Sequence, residues 1–206
     1  MATQQKKGLL VIISSPSGGG KDTVISALLK IFPNSTRLIT TTSRPPRPGN
    51  IDGVDYHFIT ADEFKHRIEA GAFLEYNIYA GNYYGEEKSI INDCLANFEI
   101  VFTQIDVTGK HALDKMGFPH LAIFLAPENL DILRQRIEKR GGIDQEAIEK
   151  RLEIAKNEIE LSVDYTYRIV NIEGKLDETI AKVAEIIQQT LISQDASNLG
   201  LTKNQQ

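Results

Sequence analysis

Uninterrupted apolar runs alternate along the chain with stripes of helical spacing. The runs at Leu9 to Ile13, Ile100 to Phe102, Leu121 to Leu125 and Ile169 to Val170 lack polar alternation, as expected of strands buried on both faces of a parallel sheet. The clearest helical stripe joins Leu176, Ile180, Val183, Ile187 and Leu191 at steps of four, three, four and four residues, which places them on one helix face. A second stripe joins Ile148, Leu152, Ala155 and Ile159. A third joins Leu130, Leu133 and Ile137 and stops at Gly141 and Gly142, where glycine suits a helix C-terminus. Strands alternating with helices predict βαβ units, hence an α/β fold with a three-layer core and a parallel sheet.

Residues 34–87 break this pattern. They are rich in Thr, Pro, Gly and Tyr with short polar-alternating segments, which predicts an inserted, mostly β subdomain. Inside it, Thr60 and Glu63 have capping-box spacing for a short helix over "ADEFKHRIEAG". From about Gln194 the chain turns polar, and a frayed tail over 193–206 is expected. With 206 residues and 41% apolar content, one globular domain suffices.

A net charge of −5 and the lack of any Lys or Arg cluster argue against nucleic acid or a membrane as main partner. The N-terminal apolar stretch is too short for a signal segment or a span, which predicts a cytoplasmic location. One cysteine, Cys94, rules out an internal disulfide, and the four histidines have no zinc-ligand spacing.

The first apolar run leads directly into "SSPSGGGKDTVISALLK". Glycines let backbone N–H groups approach an anion, and the helix that follows adds partial positive charge at its start. A lysine in that first turn opposes the helix dipole by roughly 0.3–1 kcal/mol, so Lys21 makes best sense with an anion between it and the helix. Ser15, Pro16, Ser17, Gly18, Gly19, Gly20, Lys21, Asp22 and Thr23 are therefore candidate triphosphate-binding residues. Two positions depart from the G-x-x-x-x-G-K-[ST] pattern: Ser15 replaces the first glycine, and Asp22 replaces the hydroxyl that would hold Mg²⁺. The Asp22 carboxylate is a hard oxygen ligand suited to Mg²⁺, and Thr23 is an alternative source of the hydroxyl.

The segments "PSGGGK", "TTSRPPRPGNIDGVDYHF", "FLEYNIYAGNYYG", "QID" and "RIEKRGGIDQEAIEKRLEIAKNE" resemble, in the same order and separation, those of guanylate kinases. The resemblance spans residues 9 to about 192. It implies a guanylate kinase-like domain over 5–192, with a P-loop core of 5–33, 88–127 and 157–192. It also implies a monophosphate-binding subdomain at 34–87, a helical lid at 128–156, and in-line transfer of the γ-phosphoryl of ATP to GMP or dGMP with Mg²⁺. By the same resemblance Arg44 and Arg47 clamp the acceptor phosphate, as guanidinium forks do, helped by Tyr56, Tyr84 and Thr40. Glu75 accepts from guanine N1–H and its 2-amino group, and Asp106 contacts the base. Arg136, Arg140 and Arg151 join Lys21 and Arg44 as charge-stabilising residues of the transfer.

Two further positions depart from the family. Glu86 follows "NYYG" where relatives carry Ser or Thr, whose hydroxyl can donate to guanine O6; an ionised Glu cannot donate. Gln104 replaces the first acid of the usual D-I-D, so Asp22 is expected to take over some metal support. Two other readings stay open: a same-fold kinase with a changed acceptor such as ribose 1,5-bisphosphate, and a non-enzymatic guanylate-kinase-like module. The oligomeric state is open from sequence.

Overall fold

The structure is a computed structural model that describes residues 8–79, 81–142 and 144–198; the side chains of Tyr79, Arg140 and residues 196–198 lie outside the description. In chain order the elements are β1 (Leu9–Ser14), α1 (Lys21–Ile31), β2 (Ser35–Arg37), β3 (Thr41–Thr42), β4 (His57–Phe58), α2 (Ala61–Glu69), β5 (Phe73–Tyr79), β6 (Asn82–Glu87) and α3 (Lys88–Asn97). They continue with β7 (Ile100–Thr103), α4 (Val107–Lys115), β8 (Leu121–Pro127), α5 (Leu130–Arg140), α6 (Gln145–Leu161), β9 (Tyr167–Asn171) and α7 (Leu176–Asn198). The chain forms two compact units, Met1–Ile12 with Asn34–His120, and Ile13–Pro33 with Leu121–Gln206.

The first unit holds two sheets. In one, β2, β7 and β1 run parallel, with Ser35 and Leu9 each paired to Ile100. Every residue of β1 and β7 is buried, as the unbroken apolar runs require. The other sheet has the order β4-β3-β6-β5. Strand β5 runs antiparallel to β6 and sets Glu75 opposite Glu86, with a register shift between Phe73 and Glu75. Helix α2 is started by Thr60, whose hydroxyl accepts from the Glu63 N–H. Its buried Phe64 stacks on Phe73 at 4.2 Å and Tyr83 at 5.2 Å. Gly85 makes this possible, because a Cβ there would meet the Phe73 and Phe64 rings at 2.9 and 3.0 Å.

In the second unit β8 and β9 pair in parallel from Ile123↔Tyr167 to Pro127↔Asn171. Burial along β9 alternates, with Ile169 buried and Val170 51% exposed. This strand is therefore covered on one side only, unlike the two-sided burial its apolar pair predicts. The α5 and α6 stripes close on each other through Leu133, Ile137, Ile148, Leu152 and Ala155. Arg134 adds a two-pronged ion pair to Glu149 at 2.6 and 2.8 Å across the same helix pair. Side-chain N-caps from Asn129 and Asp144 start α5 and α6. Helix α7 continues through Asn198, past the polar switch at Gln194.

Candidate functional site

The candidate residues fall into a cluster in each unit. In the second unit the loop between β1 and α1 turns at Gly18 and Gly20, both with φ near +92°. Gly20 is the N-cap of α1 and supplies no side-chain cap, and a helix start of this kind suits an anion. Gly19 is held by an N–H bond to the Pro16 carbonyl, and a Cβ on it would lie 2.4 Å from Ser15 Oγ. Ser15, which departs from the glycine pattern, is buried and hydroxyl-bonded to the Pro16 carbonyl. Lys21 curls back over the loop and donates to the Ser15 carbonyl at 2.7 Å and to its Oγ at 3.4 Å. Ser17 and Gly18 are partly buried there, while Asp22 and Thr23 are exposed in the first turn of α1.

A cavity of about 440 Å³ opens beside this loop, lined by Gly18, Gly20, Thr23, Arg136, Asn171 and Glu173 among others. Asn171 donates to the Gly19 carbonyl and accepts from Thr179, bracing the loop from β9. Arg136 pairs with Glu173 at 2.6 Å and donates to the Asn171 carbonyl at 3.2 Å. Arg151, partly buried on α6, makes no hydrogen bond or ion pair among the described residues. Arg140 sits in the last turn of α5; its side chain lies outside the described residues.

The other cluster lies on the small sheet of the first unit. The Arg44 guanidinium stands over the Tyr56 ring at 5.3 Å and the Phe58 ring at 5.6 Å. It also donates to Asn50 Oδ1, which accepts from the Arg47 N–H too. Tyr84 meets Tyr56 edge-on at 6.0 Å. Two guanidinium-bearing residues and two phenols are thus gathered around one turn, with Arg47 exposed.

On the same sheet Glu86 is 2% exposed. Its Oε1 accepts from Thr40 at 2.9 Å and from Thr103 at 3.1 Å, while its Oε2 is buried with no hydrogen-bond partner among the described residues. Burial pushes its pKa up to about 7, against the opposing pull of the two hydroxyls and Arg37. Burial thus works against the ionised form of this carboxyl. Glu75 is pushed higher, to about 8, first by burial and then by the charges of Glu86 and Asp106. Glu75 Oε2 approaches Gly109 so closely that a Cβ there would sit 2.8 Å from it. Asp106 caps α4 through the Gly109 N–H at 2.8 Å and accepts from Asn77 Nδ2 at 2.5 Å.

Thr103, Asn77, Arg37, Asn171 and Glu173 escaped the sequence reading. The polar Thr103 and Asn171, each ending an apolar run, were the available signals.

The family model described as guanylate kinase matches residues 7–190. A guanylate kinase of Oceanobacillus iheyensis is 42% identical over 188 residues, 89% of this chain and 88% of the relative. One of Rickettsia felis is 38% identical over 185 residues, 90% of this chain and 95% of the relative. The crystal structure of a guanylate kinase from Anaplasma phagocytophilum superposes with a TM-score of 0.72 over 96% of this chain and 98% of its own. At 24% identity that likeness speaks for the fold. A match over nearly the whole length, by a family model and by relatives near 40% identity, means that the chain belongs to the guanylate kinase family.

Proposed function

We infer that this chain transfers the γ-phosphoryl of ATP to GMP, giving ADP and GDP. The observation that carries the reading is the small sheet of the first unit. It presents a carboxyl pair, Glu75 and Glu86, together with the Arg44, Tyr56 and Tyr84 cluster, which suits a guanine edge at one end and a phosphate at the other. A sugar phosphate would leave the carboxyl pair unused, and a phosphopeptide module would leave Lys21 and the Arg136 cavity unused. Neither is favoured beside relatives that are guanylate kinases.

Such a transfer rests on positioning and electrostatics rather than covalent chemistry. The amides of Gly18, Gly19 and Gly20 and the start of α1 cradle the ATP phosphates, and Lys21 neutralises charge on the phosphoryl in flight. Arg136, Arg140 and Arg151 add positive charge to that group. Arg44 and Arg47, with Tyr56, Tyr84 and Thr40, orient the acceptor phosphate, while Glu75 and Glu86 read the base with Asp106 behind them. Among the described residues no group of three or more His, Cys, Asp or Glu could hold a metal, so a cation would be held mainly by phosphates and water, as Mg²⁺ is. Asp22 and Thr23 are the hard oxygen donors at the loop that would help hold it. A Mg²⁺ ion held there would supply positive charge against the phosphates during transfer.

A cytoplasmic location suits this reading, since ATP and GMP are both available there; no helix among the described residues is long and apolar enough to cross a membrane. An assay of ADP formation with GMP, dGMP, AMP, UMP and ribose 1,5-bisphosphate as acceptors tests the reading. GMP or dGMP should dominate; preference for the sugar phosphate or absence of ADP formation would overturn it.

A further inference from the structure

Glu75 and Glu86 face each other across the β5–β6 ladder, so their side chains rise from the same face with Cβ atoms roughly 5 Å apart. Glu86 is held rigidly, because its Oε1 takes two hydroxyl donors, from Thr40 and Thr103. Its Oε2 has none and no water-accessible surface. A buried carboxylate oxygen with no donor is costly, and a proton removes most of that cost by neutralising the group. A proton on Oε2 in turn needs an acceptor. A ligand can supply that acceptor only by displacing what covers Oε2, and the face that Glu86 shares with Glu75 is where a base carrying both donors and an acceptor would approach.

We propose that Glu75 and Glu86 hold one proton between them in the acceptor complex. Glu86 is neutral and donates from Oε2 to the C6 carbonyl of guanine, while ionised Glu75 accepts from N1–H and the 2-amino group. This rests on the reading of GMP as acceptor and adds to it the protonation state that the base requires. It also removes the apparent misfit of an acid where a donor is needed.

Among the described residues, charged and titratable groups act on the pair from several elements. Glu75 on β5 faces Glu86, Asp106 at the start of α4 acts on Glu75, Arg37 on β2 acts on Glu86, and Cys94 on α3 feels Glu86. Two carboxyls facing each other across a strand pair cannot both ionise cheaply, and they titrate as a pair rather than singly. With values near 7 and 8, the free pair carries about two protons in mild acid, about one between those values and none in mild base. The complex fixes the count at one. GMP binding therefore expels a proton below about pH 7 and takes one up above about pH 8, and affinity peaks between.

Calorimetric titration of the full-length protein with GMP, in two buffers of different ionisation heat at pH 6.5, 7.5 and 8.5, measures this directly. The wild type should release protons at pH 6.5 and take up about half a proton or more at pH 8.5. Glu86→Gln, whose amide donates at every pH, should keep the release and lose the uptake. Its KM for GMP should stay flat above pH 8, where the wild-type value climbs up to about tenfold per unit; KM for ATP should be flat in both. Glu86→Leu, which cannot donate, should bind GMP at least about tenfold more weakly than Glu86→Gln. Failure of the variants to fold leaves the wild-type proton count decisive. GMP bound without uptake at pH 8.5, uptake that persists in Glu86→Gln, or equal GMP binding by Glu86→Leu and Glu86→Gln would overturn the proposal while leaving the GMP reading intact. No binding of GMP at any pH would instead sink that reading and this inference with it.

Discussion

Lys21 reaches back over its own loop to the Ser15 carbonyl and hydroxyl, which holds the ammonium over the phosphate loop. A charge placed this way is worth most when negative charge moves through the site, so Lys21→Met should lower kcat by roughly 10² or more while leaving the melting temperature nearly unchanged. Steady-state rates beside a thermal melt decide it; a folded variant with wild-type kcat would remove Lys21 from the chemistry. Arg136 is in the opposite situation, since Glu173 already occupies it at 2.6 Å. That carboxylate is mostly exposed, and exposed pairs contribute about 0.2–1 kcal/mol. Releasing Arg136 to a phosphate thus costs little, and Glu173→Gln should raise kcat/KM for ATP by about one- to fivefold. A clear fall in kcat/KM would mean that Glu173 positions Arg136 rather than competing for it.

At the scale of elements, the phosphate loop is tied to the helix it packs on. Gly18 has φ +92°, and a Cβ there would lie 3.2 Å from Leu133 Cδ1 and 3.3 Å from Ile137 Cγ1, both buried on α5. Gly142 has φ +77° and open space around it. Both positions to Ala incur the left-handed strain of about 1–2 kcal/mol, but only Gly18→Ala must also push against α5. Gly18→Ala should therefore melt lower than Gly142→Ala by about 2 °C or more and raise KM for ATP, while equal melting points would show that the loop and α5 give way freely. This coupling explains what was legible in advance. Local signals suffice where one element settles its own fate: the buried runs of β1, β7 and β8, the α5 and α6 stripes, the Thr60 cap, and the glycines before Lys21. They fail where the partner is distant in sequence. Nothing near Val170 says that one side of β9 stays open, and nothing near Glu86 says that Thr40 and Thr103 will converge on one of its oxygens and leave the other bare. Asn77 and Glu173 were missed for the same reason, since each acts by meeting Asp106 or Arg136 about thirty or more residues away.

For the molecule as a whole, a base-reading site assembled from a buried acid, Glu86, and a half-buried one, Glu75, has a cost in stability whose sign is fixed by chemistry. The ordinary value for both groups is about 4.5, and the fold raises them to about 8 for Glu75 and about 7 for Glu86. Below about pH 4.5 the folded and unfolded chains both hold these protons, so the folded state suffers no penalty. As pH rises from there to about 8 the unfolded chain releases them while the folded chain retains them, and stability falls throughout that window. Glu149, which Arg134 holds below its usual value, acts in the opposite direction and only in acid, so it does not mask the effect near neutrality. Each pKa unit corresponds to about 1.4 kcal/mol, and each kcal/mol to roughly 2–4 °C in a chain of this size. The melting temperature should therefore drop by about 5 °C or more between pH 6 and pH 8.5. The double variant Glu75→Gln with Glu86→Gln carries no titrating group at either position and should lose most of that slope, whatever its absolute stability. Saturating GMP should instead hold the slope near one proton per pH unit across the whole range, shallower than the free protein below about pH 7 and steeper above about pH 8, because the complex fixes the proton count at one while the unfolded chain holds none. Melts of the wild type, the double variant and the GMP complex across that range provide the test, and parallel slopes for the wild type and the double variant would show that these acids are not what makes the fold sensitive to alkali.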